Sequence, residues 1–345
     1  MKTVAFLLFA LVATAGAGAY VLLARLDAPY RGFVGEEQFV DIPSGSSTAS
    51  IGAALVGAGV IRDTLTYRVA LWMSGDARRL KAGEYRFDQP MIPRDVLAKI
   101  TRGDVAQIVV TFPEGLTIAE MSRIFVARGL GTAADFVSAA GDASLIRDLD
   151  PTARNLEGYL FPDTYALTRS TDAPALVRAM VDRFRRVLTA DLRDVATARG
   201  LSVRQLVTLS SIVEKETGRS DERDQVAAVY ANRLRIGMAL QCDPTVLYAL
   251  QLSGRFDGNL RKDDLQFDSP YNTYRYPGLP PGPIAAPGKA SLEAALHPAD
   301  TAFLYFVSRN DGSHEFARTL DEHNRNVQKF QLRYFRNRRL DATGR

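Results

Sequence analysis

The chain is poor in the residues that most often carry metal and redox chemistry. It has 345 residues and a single cysteine, Cys242, so it can form neither an internal disulfide nor a cysteine-based zinc site or redox pair. Its three histidines, His297, His314 and His323, are spread out and do not suggest a histidine-rich metal centre. No G-x-G-x-x-G or G-x-x-x-x-G-K-[ST] loop occurs, nor an H-E-x-x-H helix or a G-x-S-x-G elbow, which removes the usual nucleotide, zinc-peptidase and serine-hydrolase readings. Neither a metal nor a cofactor is expected. The basic excess is local as well. Seven Lys/Arg against Asp341 lie between Arg325 and Arg345, so the overall charge of +4 leaves residues 1–324 at a net −2. That distribution is a basic tail, 336–345 at its end, rather than a nucleic-acid-binding stripe, and no nucleic-acid partner is expected.

An apolar fraction of 46% and a charged fraction of 24% describe a folded chain, and the length suits about two domains. Val4 to Ala24 carries no charge, and Thr14 is its only clearly polar member. At 1.5 Å per residue it reaches roughly 30 Å, the thickness of a hydrocarbon core. The expectation is a single transmembrane helix over 4–24 behind a cytoplasmic tail of residues 1–3, with the bulk of the chain outside the cytoplasm. A cleaved signal peptide is the competitor, because Ala15-Gly16-Ala17 and Ala17-Gly18-Ala19 are small-residue cleavage patterns; the apolar run exceeds the usual length of such a segment.

Behind the anchor a unit occurs twice. VDIPSGSSTASIGAALVGAGV (40–60) aligns without a gap with VTFPEGLTIAEMSRIFVARGL (110–130), matching Val40 with Val110, Pro43 with Pro113, Gly45 with Gly115, Leu55 with Phe125 and Gly59 with Gly129. Each copy reads as a short strand, a Pro-x-Gly turn and an amphipathic helix ended by glycine. Ser46, Ser47 or Thr48 can cap the first helix; Thr117, with Glu120 three residues on, caps the second in a capping-box spacing. Between the copies, Lys81 to Phe87 alternates as a strand, and Pro93 to Ile100 reads as a short helix ended near Gly103. In order and length residues 38–105 loosely resemble a LysM glycan-binding module; a structural α+β spacer is the alternative.

The segment richest in chemistry is Gln205 to Gly218, QLVTLSSIVEKETG. Leu206, Leu209, Ile212, Val213 and Glu216 follow helical spacing, so Glu216 extends an apolar stripe. Glu214 falls about 200° away, beside Val207, Ser210 and Ser211. A carboxyl on an apolar stripe is desolvated and stays protonated near neutral pH, as a general acid for glycosidic cleavage requires. The competing reading is a solvated helix end or a partner for Arg223.

SSIVEKETGRSDERDQVAAVYANRLRIGMALQCDPTVLYAL (210–250), together with LEGYLFPDTY (156–165), SPYNTY (269–274) and GLPPGPIAAPGKASLEAALHP (278–298), resembles the endolytic murein transglycosylases of the MltG, or YceG-like, type. The likeness is strong over 145–330 and looser over 38–140. It implies an α+β fold: the anchor, the LysM-like module, then a mixed α+β catalytic region over 106–335 with its core at 145–330. In the family the glutamate before the Ser/Thr of an E-[ST] pair is the acid/base, which here is Glu216 before Thr217. The family reaction cleaves the MurNAc-β-1,4-GlcNAc bond of peptidoglycan without net addition of water and leaves a 1,6-anhydro end. Peptidoglycan glycan strands are the implied substrate, and cell-wall synthases at the membrane are implied partners. A small polar residue is expected between Gln241 and Asp243, where Cys242 stands.

One carboxyl can serve as acid and then base, whereas a hydrolase needs a second at a set distance; Glu157, Asp163 and Asp243 are the candidates. Asp243, followed by Pro244, also reads as a helix cap. Gln241 and Asp243 are candidate substrate contacts. Seven of the sixteen prolines fall within 270–298, which marks an ordered loop. Its Tyr271, Asn272, Thr273 and Tyr274 offer flat rings, amide and hydroxyl groups suited to N-acetylated sugars, with loop anchoring as the alternative. His314, Phe316, His323 and Asn324 receive no role. Two rival readings stand beside the transglycosylase: a non-catalytic peptidoglycan-binding scaffold, and a lysozyme-like hydrolase.

Overall fold

The computed structural model describes residues 2–333; the basic stretch 336–345 and Met1 lie outside them. Helices dominate, and the described strands form three separate two-stranded ribbons, so the fold mixes helix and sheet behind one N-terminal apolar helix. The chain divides into two compact units, Met1–Val109 with Ala166–Ser170, and Val110–Tyr165 with Thr171–Arg345.

Unit 1 begins with α1 (Lys2–Asp27), of which Phe6–Asp27 is long and apolar enough to cross a membrane and is exposed up to its last turn. Its last turn is tied down: Leu26 is buried in the core of the unit, and the Arg25 guanidinium meets Asp63 at 3.2 Å. Then follow β1 (Gln38–Ile42), α2 (Thr48–Gly57), α3 (Thr64–Ser74), β2 (Gly83–Phe87) and α4 (Pro93–Arg102). β1 and β2 pair antiparallel from Gln38↔Phe87 to Ile42↔Gly83. Alternation along both strands sends Val40, Ile42, Tyr85 and Phe87 to one face, where Leu55, Tyr67, Val96, Leu97 and Ile100 close the core. Each such side chain contributes about 1.5–3 kcal/mol by leaving water. Gly52 permits a close approach: a Cβ there would stand 2.4 Å from the Tyr67 ring.

Unit 2 carries the second copy of the repeat. β3 (Ile108–Thr111), of which Val110 and Thr111 belong to this unit, leads through Pro113 into α5 (Ile118–Ala127), whose Thr117–Glu120 capping box is formed as expected; Ser47 caps α2 in the first copy. Both copies end in a glycine at φ +69°, Gly59 and Gly129, a conformation costly for any residue with a Cβ. After α6 (Ala133–Ala140), β4 (Thr164–Leu167) pairs with β3. Next come α7 (Ala173–Val187), α8 (Ala190–Ala198), α9 (Val203–Glu216), α10 (Arg223–Arg235), α11 (Asp243–Leu252) and α12 (Lys289–Leu296). The hairpin of β5 (Tyr305–Ser308) and β6 (His314–Ala317) follows, and then α13 (Leu320–Val327).

Helix α9 is the axis of this unit. A Ser202–Gln205 capping box starts it, and it packs against α8, α10, α11 and α12. The expected apolar stripe of Leu206, Leu209, Ile212 and Val213 is buried, and so is every other residue from Leu206 to Val213, as befits a helix enclosed on all sides. Its two serines are accommodated by bonding inward, Ser210 Oγ to the Leu206 carbonyl (2.8 Å) and Ser211 Oγ to that of Thr208 (2.7 Å).

Candidate active site

The two glutamates at the end of α9 part company there. Glu214 is not solvated; its side chain is only 8% exposed, lies 3.8 Å from Arg223, and accepts hydrogen bonds from the Gly288 amide (3.0 Å) and Ser291 Oγ (2.7 Å). It fastens the start of α12 to α9. Glu216, two residues later, is directed into an open cleft of about 440 Å³ within unit 2. Glu216 Oε1 accepts a 2.7 Å hydrogen bond from the Tyr230 hydroxyl, donated from α10. Oε2 accepts none from a nitrogen or oxygen donor among the described residues. Burial, reinforced by the charge of Asp243, raises the Glu216 pKa, while the bonds from Tyr230 and the Cys242 thiol pull it down. Desolvation is the larger effect, so the carboxyl holds its proton more tightly than a solvated glutamate.

Three elements bring the rest of the cleft to Glu216. Before α11, Gln241 takes a left-handed backbone (φ 50°), unusual for a residue with a side chain, and its amide donates to the Thr273 carbonyl at 3.2 Å. Asp243 is the first residue of α11 rather than its cap; Cys242 occupies the cap position without a side-chain bond. The Asp243 carboxylate instead accepts a 2.6 Å hydrogen bond from the Tyr274 hydroxyl, and both line the cleft. The third element is the C-terminal hairpin with α13, which supplies Tyr305, Phe306, Leu320, His323 and Asn324.

Of the six loop residues expected to touch substrate, Gln241, Asp243 and Tyr274 therefore share the cleft with Glu216, and three do not. Asn272 and Thr273 are buried and spent on holding the loop. The Asn272 amide donates to the carbonyls of Leu265 (3.0 Å) and Phe267 (2.7 Å). Thr273 Oγ1 accepts from the Cys242 amide (3.0 Å) and bonds Thr245 Oγ1 (2.8 Å), clipping the loop to the start of α11. Tyr271 faces a different cleft of about 520 Å³, beside Glu157 and Arg204. Cys242 fits its unusual place by burial, which pushes its thiol pKa well up and keeps it a neutral neighbour of Glu216 and Tyr230.

Among the three candidate second carboxylates only Asp243 lies in the Glu216 cleft. Asp163 is paired with Arg183 at 2.6 Å. Glu157 is buried on the other cleft, where it accepts from the Ile118 amide (3.1 Å) and the Tyr248 hydroxyl (3.2 Å). His314 is held by Glu222 at 2.8 Å and fastens β6 to the start of α10. Sequence reasoning missed Tyr230, Arg233 and the C-terminal wall. Tyr230 lies 14 residues from Glu216, and no local pattern signals a bond across two helices. Among the described residues no three or more His, Cys, Asp or Glu side chains gather where they would hold a metal ion.

A carboxyl whose pKa is raised by burial, at the side of an open cleft walled by rings and amides, has the surroundings that general acid-base chemistry requires. The chain belongs to the YceG-like family, which it matches over residues 40–329. It is 33% identical over 309 residues to an endolytic murein transglycosylase of Bacillus subtilis (strain 168), covering 84% of each chain. To an endolytic murein transglycosylase of Streptococcus pneumoniae it is 30% identical over 360 residues, covering 94% of this chain and 64% of that one. A crystal structure of a YceG-like protein from Listeria monocytogenes is similar with a TM-score of 0.58 at 35% identity, covering 84% of this chain and 98% of that one.

Proposed function

We propose that this protein is an endolytic lytic transglycosylase of peptidoglycan, anchored by α1 with the chain beyond α1 on the outer side of the cytoplasmic membrane. The observation that carries the reading is Glu216: a desolvated carboxyl, oriented by Tyr230, on a cleft that no other glutamate lines. Its raised pKa suits it to protonate the glycosidic oxygen. As carboxylate it then removes the proton from the C6 hydroxyl of the same MurNAc, and that oxygen attacks the anomeric carbon. The glycosidic C–O bond breaks, the 1,6-anhydro bond forms, and the proton taken from C6 restores the acid. Gln241, Asp243 and Tyr274 are the substrate contacts in this reading.

The relatives' printed name supports the reaction class, and the apolar length of α1 supports the anchor. The order β1-α2-α3-β2 with its antiparallel pair supports reading unit 1 as a LysM-like glycan-binding module. Cell-wall synthases are the partners this location suggests.

Asp243 favours one alternative, a lysozyme-like hydrolase in which it is the second carboxylate, because it lies in the same cleft as Glu216. Mass spectrometry of glycan strands incubated with the protein separates the two. Internal 1,6-anhydro ends, made by the wild type and not by Glu216→Gln, are expected; reducing ends would replace this reading with hydrolysis. No product at all, with glycan still captured, would leave a binding scaffold.

A further inference from the structure

Helix α13 turns one side toward the Glu216 cleft, and that side bears three chemically different groups. The Thr319–Glu322 capping box starts the helix, and α13 packs on β5 and β6, so its orientation is set by the hairpin. Leu320, His323 and Asn324 fall at i, i+3 and i+4, and all three line the cleft. Leu320 is 54% exposed, a large apolar side chain left uncovered inside a concave site. The His323 ring stacks on Tyr305 with centroids 5.2 Å apart and planes at 24°. The Arg233 guanidinium lies 5.2 Å from the centroid of the same Tyr305 ring, held by the carbonyls of Leu304 (2.7 Å) and Leu240 (2.7 Å).

Two polar features of this wall are unspent. His323 Nδ1 is buried without a hydrogen-bond partner among the described residues, and the Asn324 carboxamide, which is exposed, makes no hydrogen bond among them. Buried polar atoms are almost always paired, so an unpaired imidazole nitrogen at a cleft is the exception that calls for a ligand or a function. Burial and the neighbouring Arg233 charge lower the His323 pKa, which keeps the ring neutral. With no protein partner choosing the tautomer, the second nitrogen can present either a proton or a lone pair.

We infer that Leu320, His323 and Asn324 form a sugar-binding wall of the Glu216 cleft, recognising a neutral N-acetylated sugar. The leucine meets the apolar face of the pyranose, the imidazole a hydroxyl, and the carboxamide the acetamido group, whose donor and acceptor it complements. This rests on reading the cleft as a glycan site and adds to it a wall from the C-terminal end of the chain.

The small number of histidines makes the test direct. The full-length Glu216→Gln protein in detergent is titrated with a peptide-free GlcNAc-MurNAc tetrasaccharide while its imidazole nitrogen and carbon-bound proton signals are recorded. The His323 signals are expected to shift on binding, and those of His297, which does not line the cleft, to stay. His323→Phe keeps a ring to stack on Tyr305 and removes both nitrogens. In the same background it and Asn324→Ala are each expected to weaken binding about tenfold, the loss of one hydrogen bond. In the otherwise wild-type enzyme the same changes raise KM while kcat stays within about threefold, since uniform binding rather than transition-state contact is removed. Tetrasaccharide that binds with unchanged affinity to His323→Phe, and leaves the His323 signals unmoved, overturns the wall while the Glu216 reading stands. A wild type that neither cleaves nor binds glycan overturns both.

Discussion

Unit 2 places two desolvated carboxyls, Glu157 and Glu216, on two separate clefts, and the contrast between them sets the proposed acid/base apart from a structural acid. Burial raises the pKa of both Glu157 and Glu216, Glu157 to about 8. Glu157, however, has both oxygens engaged: the Ile118 amide at the start of α5 and the Tyr248 hydroxyl of α11 hold it between two helices. Glu216 is bonded by the Tyr230 hydroxyl and the Cys242 thiol, and it lines an open cleft. A shifted pKa is thus common to both, and what lines the cleft around each distinguishes them. The same loop serves both clefts, since Tyr271 reaches the first and Tyr274 the second.

The comparison breaks most sharply on activity. Glu216→Gln is expected to cost glycan cleavage at least about a thousandfold, in the upper range for loss of an acid/base group, with the unfolding transition unchanged. Glu157→Gln is expected to keep cleavage within about threefold; equal losses in both, assayed on the same strands, would erase the distinction drawn here.

Next in size is the other glutamate of α9. Glu214→Ala orphans the Gly288 amide, Ser291 and Arg223 together, and the cost is about 3–5 kcal/mol of stability, read from denaturant midpoints. A loss below about 1 kcal/mol would mean that water replaces the carboxylate.

Glu157 makes a third prediction through linkage. Its pKa lies at about 8 in the folded protein against 4.5 for an unperturbed glutamate, so the folded state holds a proton that the unfolded state has released between those values. Its contribution is therefore fully present below pH 4.5 and is lost as pH rises toward 8. Glu157→Gln cannot ionise, and should flatten this decline, gaining about 1–3 kcal/mol relative to wild type at pH 8. Parallel stability curves for the two proteins across that range would show that Glu157 is already ionised.

The smallest effects concern the neighbours of Glu216. Tyr230→Phe removes a bond that favours the carboxylate, so the Glu216 pKa rises further and the alkaline limb of the rate moves to higher pH. Cys242→Ser puts a stronger donor beside the same carboxyl and should move that limb down by about half a pH unit. Opposite shifts in the two profiles are the signature; shifts of the same sign would place the titration elsewhere.

Much of the local structure was legible in the residues. The two repeat copies, their glycine stops, the Thr117–Glu120 box and the β2 strand follow from short-range chemistry: caps, left-handed glycines and alternation act over a few residues. The separation of Glu214 from Glu216 was also legible, although its reason was not. Periodicity placed the two glutamates on different sides of α9; both sides are covered, and Glu214 is set apart by Gly288, Ser291 and Arg223, the last a partner the sequence had offered.

What the residues determined by themselves is therefore a membrane-length apolar helix, duplicated strand-turn-helix units, and a helix ending in a glutamate whose apolar surroundings favour its acid form. The tertiary structure decided which groups meet that glutamate. Tyr230, Asp243, Tyr274 and His323 reach one cleft from four segments of the chain, while adjacent loop residues, Tyr271 and Asn272 among them, turn elsewhere. Spacing along the chain encodes the side of a helix, but packing of helix on helix and loop on helix, spread over more than a hundred residues here, selects the neighbours.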